Sequence, residues 1–339
     1  MFKNPVVRYV GKRLLAYIVT LWGAFTIAFF AFHLVPGNPI GAYISSLAAR
    51  YSWSVQGAGT IIEEYKKKFG LDADLFTQYV NYLKELILNG NMGPSFLAFP
   101  TPTQVLILRA LPWTIILLSE SILISWVLGN IIGALIGWRR GSKVDSAISS
   151  VALALQQVPF YILAIVLILA FAYIFGTLPP MGAFSQALSP GLTLEFILSV
   201  MYHAILPSLS LVLAGVAGWI ISMRSLVVSI VGEDYLRLAE AKGLKRARIL
   251  MRYAFRNALL PQITGLAMAI GFMLNGFFLV EYLFRYPGLG RLFVEAINNL
   301  DYNVLQGIVL LMMFSVITAN LLIDLLYPLI DPRIRYGGK

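Results

Sequence analysis

The chain of 339 residues is 59% hydrophobic and only 12% charged, whereas a soluble globular domain is about 45–50% apolar and about 25% charged. This composition excludes an ordinary soluble protein, and the absence of cysteine excludes disulfides and thiolate chemistry. The net charge of +10 does not indicate nucleic-acid binding, because the basic residues cluster at the ends of apolar runs, where they orient spans and face anionic lipid.

Six apolar segments are long enough to cross the hydrocarbon core, which needs roughly 20 residues of helix. They are predicted at 14–34, 113–138, 148–175, 205–230, 263–284 and 304–330. No small-residue cleavage site follows the first, so we interpret it as a retained span and not as a signal peptide. The predicted fold is an all-α membrane protein with six transmembrane helices.

Basic residues mark one side of these spans. The amino terminus carries Lys3, Arg8, Lys12 and Arg13, and further basic residues lie in the second-to-third and fourth-to-fifth connections and in the carboxyl tail. The connection at 176–203 has none. By the positive-inside rule, both termini are expected to be cytoplasmic.

The residues between the first two spans form an extracytoplasmic insertion, 36–109. Two helices are predicted there, at 61–69 and at 75–88, the second with Asp74 as N-cap and Gly90 as its stop. The insertion would either pack on the spans or contact a donor protein. The predicted order is therefore 1–35 (amino terminus and first span), 36–109 (insertion), 110–330 (a five-helix core) and 331–339 (cytoplasmic tail).

The connection at 232–261 is strongly basic, yet it carries small residues at close spacing: Ala239, Ala241 and Gly243. A loop that only had to stay in the cytosol would need the charge alone. Small side chains let a helix lie close against another protein, and glycine permits a sharp turn without a Cβ penalty. This pattern predicts a structured docking surface.

Several motifs occur along the chain in an order and at a spacing that are typical of one family. They are His33-Leu-Val-Pro-Gly-Asn-Pro39, Arg140-Gly-Ser-x-x-Asp145, Ala239-x-Ala-Lys-Gly-Leu244, Arg256-Asn-Ala-Leu-Leu-Pro261 and Pro287-Gly-Leu-Gly-Arg-Leu292. Over nearly its whole length the chain resembles the permease subunits of oligopeptide and dipeptide ABC importers, which depend on a binding protein. It departs from their pattern at Asn38, where Asp is usual, and at Arg237, where the wider family signature has Glu.

The resemblance implies a prokaryotic inner-membrane permease that couples to a cytoplasmic ATPase through the connection 232–261. The implied coupling residues are Asp234, Tyr235, Arg237, Ala239, Ala241, Lys242, Gly243, Leu244, Arg256, Asn257 and Pro261. The implied partners are a second homologous permease, two ABC ATPases, an external solute-binding protein and membrane lipid. Relatives of this kind are associated with peptides, oligosaccharides, nickel or glutathione, so the resemblance leaves the cargo open.

Polar residues inside the predicted spans are the candidates for lining a path or for locking helices together. They are Glu120, Gln156, Gln157, Asn275, Asn320 and Asp324. A charge at the bilayer centre costs about 2.5–3.5 kcal/mol on insertion scales, so such residues usually face a bundle interior or a watery cavity. Glu120 would either bind a substrate ammonium or make an interhelical hydrogen bond.

No motif for a catalytic, cofactor or metal site is found: neither a phosphate-binding loop nor the catalytic signatures of metalloproteases and serine hydrolases. ATP hydrolysis is therefore expected in a partner. Two alternatives stay open on the sequence alone: a stand-alone channel or secondary transporter, and an intramembrane enzyme using Glu120 or Asp324. An enzyme should show a catalytic constellation on adjacent spans, and none is found, whereas a channel or secondary transporter would not need the docking surface.

Overall fold

The computed structural model describes residues 5–33, 72–96, 98–274 and 278–330. Twelve α-helices and two π-helices occur within these residues. Their bounds are α1 Pro5–His33, α2 Leu75–Asn89, α3 Thr103–Trp138, α4 Lys143–Gln156, α5 Phe160–Leu167, π1 Ile168–Ile174, α6 Leu194–Ile230, α7 Asp234–Ala241, α8 Arg246–Ile249, π2 Leu250–Phe255, α9 Arg256–Gly271, α10 Phe278–Leu283, α11 Leu289–Asn298 and α12 Tyr302–Ile330. The predicted helix 61–69, the candidate residue Asn275 and the tail 331–339 lie outside the described residues.

Four of the described helices are long and apolar enough to cross a membrane, namely Arg8–Phe32 within α1, α3, α6 and Tyr302–Leu325 within α12. A fifth candidate exists if α4 and α5–π1 together count as one span, bent by 98° at their junction. The bend falls at Pro159, where the ring disfavours helical backbone at the preceding residue. The predicted span 263–284 is divided, because α9 ends at Gly271 and α10 begins at Phe278.

Helices α3 and α6 begin about ten residues before the predicted spans do. Pro112 lies inside α3 and Pro207 inside α6. Long membrane helices tolerate proline, because neighbouring groups satisfy the carbonyl that loses its partner.

The chain divides into two compact units, and the first comprises 1–113, 274–278 and 287–339. In it, α1 packs along α12, and α2 packs on the second half of α1. Phe25 and Phe29 of α1 form an aromatic cluster with Tyr79 and Tyr82 of α2. The predicted helix 75–88 is thus confirmed, with Asp74 accepting from the Thr77 N–H at 3.1 Å.

Asp301, fully buried ahead of α12, fixes the loop that follows α2. Its carboxylate accepts from the Ser95 hydroxyl at 2.6 Å and from the Val304 N–H at 3.2 Å. Asn303 adds a bond from its side-chain amide to the Pro94 carbonyl at 2.8 Å. The loop therefore closes onto the first turn of α12.

The second unit comprises 114–273 and 279–286. Its centre is the contact of α3 with α6, made by three buried glycines of α3 at four-residue spacing: Gly129, Gly133 and Gly137. A Cβ on Gly129 would lie 2.3 Å from the Trp219 Cβ, and one on Gly133 would lie 2.5 Å from the Ile220 carbonyl oxygen. Small residues at this spacing let membrane helices approach backbone to backbone.

An ion pair ties α4 to α6 in the same unit. The Arg224 guanidinium donates to both carboxylate oxygens of Asp145, with 2.8 Å between Nη2 and Oδ2. Asp145 also accepts from the Gly141 N–H at 3.0 Å. The motif Arg140-Gly-Ser-x-x-Asp145 thus folds the short turn before α4 around one buried carboxylate and anchors it to α6.

Candidate functional site

The connection 232–261, which was predicted to dock, folds as short helices joined by a turn, and we call it the docking unit. Helix α7 begins with Asp234, whose negative charge suits the positive end of the helix dipole. It ends at Ala241, and Gly243 follows with φ +72° in open space. The sharp turn expected at this glycine is present, in the left-handed conformation, and it leads the chain into α8.

One face of α7 belongs to the chain's own core. Leu236 and Ala239, each 3% exposed, pack with Ile249, Leu250 and Ala254. Trp138 at the end of α3, Ile230 at the end of α6 and Leu244 pack against this cluster. Ala239, which was expected at the docking surface, thus faces inward and holds α7 on the ends of two long helices.

The opposite face of α7 and the residue that follows the helix are exposed and carry five of the eleven predicted coupling residues. They are Asp234, Tyr235, Arg237, Ala241 and Lys242. Leu238 lies among them with 56% of its surface exposed, and it was missed in the sequence analysis. Its spacing from Tyr235, three residues on a helix, is the signal that could have found it. An apolar pair ringed by charge on an isolated helix face is suited to protein docking.

The second half of the connection leads into α9 through π2. Arg256 and Asn257 are exposed, and Pro261 lies inside α9. The next residue, Gln262, is buried and donates to the Ser222 hydroxyl of α6 at 2.8 Å. Its carbonyl accepts from the Trp126 indole of α3 at 3.0 Å. The docking unit is therefore fastened to α3 and α6 at both of its ends.

The structure gives Glu120 a protein partner. It lies on α3, and the Ser208 hydroxyl of α6 donates to its carboxylate. Ser208 is buried, and it follows Pro207 in the kinked part of α6. The arrangement is an interhelical hydrogen bond, one of the two roles expected for this residue.

The remaining candidates do not form one site. Gln156 and Gln157 are exposed at the bend between α4 and α5, and Asn320 is exposed on α12. Asp324 pairs with Arg13 of α1 at 2.8 Å, so it joins two helices as the helix-locking hypothesis expected.

Comparison with known proteins identifies this arrangement. Residues 129–336, which contain the whole docking unit, match the family described as binding-protein-dependent transport system inner membrane component. The chain is 33% identical over 334 residues to the glutathione transport system permease protein GsiC of Pectobacterium atrosepticum, covering 98% of this chain and 100% of that protein. It is 30% identical over 329 residues to the oligopeptide transport system permease protein AppB of Bacillus subtilis, covering 97% and 99% of the two chains.

The chain belongs to the family of binding-protein-dependent transport system inner membrane components. It is accordingly a membrane permease subunit of an ABC importer, a transport component and not an enzyme. The family resemblance inferred from the motifs is confirmed. It favours the importer permease over the two other classes that the sequence left open, a stand-alone channel or secondary transporter and an intramembrane enzyme.

Proposed function

We propose that this permease forms half of a translocation path for peptides. The support is the pair of relatives just described, one carrying glutathione in its name and the other oligopeptides. Glutathione is itself a small peptide, so the two relatives agree on the class of cargo. A second homologous permease forms the other half, and an external solute-binding protein delivers the peptide.

The permease is driven by two cytoplasmic ABC ATPases that dock on the exposed face of α7. The observation that carries this proposal is the two-sided build of α7. Ala239 and Leu236 fix it inside the chain, while Tyr235, Leu238 and Ala241 point away. A helix held this firmly on α3 and α6 transmits a push from a partner directly to two long helices.

This role requires α7 to lie in the cytosol. The orientation with both termini cytoplasmic and six spans provides this, with α9 and α10 together forming the fifth crossing. The basic residues around α7 support it, because positive charge is retained on the cytoplasmic side. The insertion 36–109 is then extracytoplasmic, and the core 110–330 carries the path.

Within that core, the glutamines at the α4–α5 bend are the proposed path residues, whereas Glu120 is assigned to the interhelical bond with Ser208. Gln156 and Gln157 expose amides where a membrane helix is interrupted. Interrupted helices expose backbone and side-chain polar groups at membrane depth, as transported substrates require. Asn320 and Asp324 are assigned to helix locking, and Asn275 is kept as a candidate from the sequence alone.

The test is transport by the reconstituted importer with its own ATPases and binding protein. Ala241→Arg adds bulk and charge to the outer face of α7, and Asn81→Arg adds the same group to the exposed part of α2 as the matched control. Uptake is expected to fall at least tenfold in Ala241→Arg, with the ATPases dissociating or hydrolysing ATP independently of the binding protein. Asn81→Arg should transport normally. Wild-type uptake with bound ATPases in Ala241→Arg would refute the docking role of α7.

A further inference from the structure

Helix α2 of the insertion carries more apolar surface than a helix that packs one face on α1 and exposes the rest to water would need. Its inner arc, Tyr79, Tyr82, Leu83 and Leu86, packs on α1. The neighbouring arc carries Phe76, Val80 and Ile87, which are 69%, 43% and 70% exposed. At 3.6 residues per turn the two arcs are contiguous and together cover about 160° of the helix circumference.

The rest of the circumference is polar. Thr77, Asn81, Lys84 and Glu85 occupy it, and Leu88 is the exception within this sector. The amides of Asn89 and Asn91 donate to Glu85 at 3.0 and 3.4 Å and lower the pKa of its carboxyl, which keeps it charged at neutral pH. The polar side of α2 is thus suited to water, whereas the apolar side is not.

The contacts of α2 fix its depth along α1. Phe25 and Phe29, which it covers, follow Arg13 by twelve and sixteen residues. At about 1.5 Å of rise per residue they lie about 18 and 24 Å from Arg13. The hydrocarbon core is about 30 Å thick. If the span enters this core near Arg13, both rings lie within the core, short of its opposite surface. Helix α2 therefore packs on α1 inside the depth of the membrane.

The surface that α2 covers continues down α1 as an exposed stripe. Ile18 and Trp22 precede Phe25 at helical spacing on the same face of α1, and they are 60% and 56% exposed. In this chain alone, that part of α1 is open to lipid, and α2 covers the remaining part of the same stripe.

We propose that α2 is an interfacial helix of the membrane, with Phe76, Val80 and Ile87 inserted among lipid acyl chains and its polar sector facing water. An amphipathic helix of this kind lies in the plane of the interface with its apolar face buried about 5–10 Å. Lys84 borders the inserted arc and reaches the headgroups with its long side chain. The placement in the outer leaflet rests on the proposed topology, whereas the insertion itself does not.

The absence of cysteine makes the test direct, because a single introduced cysteine is the only labelling site. Phe76→Cys, Val80→Cys and Ile87→Cys would be labelled with bimane in nanodiscs containing brominated phosphatidylcholine, with Asn81→Cys and Glu85→Cys as matched controls. We expect lipid quenching at the three apolar positions to exceed that at the controls at least threefold. Aqueous iodide should give the reverse order.

Two results would overturn the proposal. Iodide quenching of the apolar positions equal to that of the controls would place the whole helix in water. Shielding of those positions from both quenchers would mean that protein covers them, whether another segment of this chain, a second permease or the binding protein. Nitroxide labels at the same five positions, compared for collision with oxygen and with a nickel chelate, provide a second measurement if bimane perturbs the helix.

A wrong topology gives a different signature from a wrong placement of α2. In sealed right-side-out vesicles, iodide added outside reaches Asn81→Cys and Glu85→Cys only if the insertion is extracytoplasmic. If those controls are protected while the apolar positions are still quenched by lipid, the insertion of α2 stands and the orientation in the proposed function fails.

Discussion

Two helix pairs hold this chain together by opposite means. Helices α3 and α6 meet through Gly129, Gly133 and Gly137, where backbone touches backbone and no side chain fits between. Helices α1 and α12 meet through long polar side chains. There, the Tyr9 hydroxyl donates to the Asp324 carbonyl at 2.9 Å, and the hydroxyls of Tyr17 and Thr318 lie 3.0 Å apart.

The ion pairs of the two regions differ in the same way. Asp145, beside α6, is 3% exposed and is held by Arg224, whereas Arg13 and Asp324 are 43% and 36% exposed. Solvent screens the second pair and can replace either partner. The contact that carries α7 is thus built from close packing and a buried charge, while the α1–α12 contact tolerates adjustment. The force transmission proposed for α7 would need the rigid contact on that side.

The largest effect is expected at Gly133. In Gly133→Ala the new methyl would lie 2.5 Å from the Ile220 carbonyl oxygen and 2.9 Å from the Met223 Cβ. Backbone atoms cannot yield as a flexible side chain does, so the helices must separate. We expect a loss of about 1–3 kcal/mol, measured as a lower melting temperature of the purified importer and as reduced peptide uptake.

Gly23→Ala is the matched control, since a Cβ there meets nothing within 4 Å. Alanine favours helix over glycine by about 1 kcal/mol, so this variant should be neutral or slightly more stable. If the two variants melted alike, α3 and α6 would not be in backbone contact.

The next effect concerns Asp145. Asp145→Asn leaves the Arg224 guanidinium without its anion, a loss of about 1–3 kcal/mol because that side chain is partly reached by solvent. Arg224→Gln should cost a similar amount, and the double variant less than the sum of the two. The thermal stability of all three variants provides the cycle, and strict additivity would mean that the two groups do not interact.

A smaller effect is expected from Asp324→Asn. The pair with Arg13 is exposed, and such pairs contribute about 0–1 kcal/mol. The bond from Tyr9 to the backbone carbonyl of residue 324 is kept. Melting should shift less than in Asp145→Asn and should depend less on salt than in wild type, and a shift as large as that of Asp145→Asn would show that burial does not separate the two pairs.

The smallest effect is a pH dependence at the start of α2. The Thr77 hydroxyl and N–H donate to Asp74 and lower its pKa below the ordinary value. A depressed folded-state pKa stabilises the helix end above the unfolded pKa, and this contribution is lost as the pH falls through the folded value. Pepsin cleavage near Leu75 should therefore rise in wild type relative to Asp74→Asn between about pH 5 and 2, and an unchanged ratio would contradict the cap.

The sequence predicted those parts of the fold that local patterns encode. The cap Asp74, the stop Gly90 and the left-handed Gly243 each depend on a few neighbouring residues, and all three are present. The starts of α3 and α6 were predicted about ten residues too late, and both helices run through a proline, Pro112 and Pro207. Their toleration depends on packing that no local window contains.

Long-range pairs were likewise beyond the sequence. Asp145 was noted in a family motif, but its partner Arg224 lies 79 residues away and nothing local joins the two. The glycine spacing of α3 was readable as a helix-contact motif and was overlooked. The inward orientation of the Ala239 side chain could not be predicted, because both faces of α7 carry alanine. Only the packing with Ile249 and Leu250 distinguishes the two faces.

That difference between the two alanines gives the most direct measurement of the central claim. In the cysteine-free chain, Ala241→Cys and Ala239→Cys would each be treated, in the assembled importer, with a short bifunctional thiol–amine reagent. Ala241→Cys is expected to cross-link to an ATPase subunit and to lose transport on cross-linking, whereas Ala239→Cys, buried at 3% exposure, should remain unlinked. Equal cross-linking at both positions, or none at Ala241→Cys while the ATPases stay bound, would contradict docking through the outer face of α7.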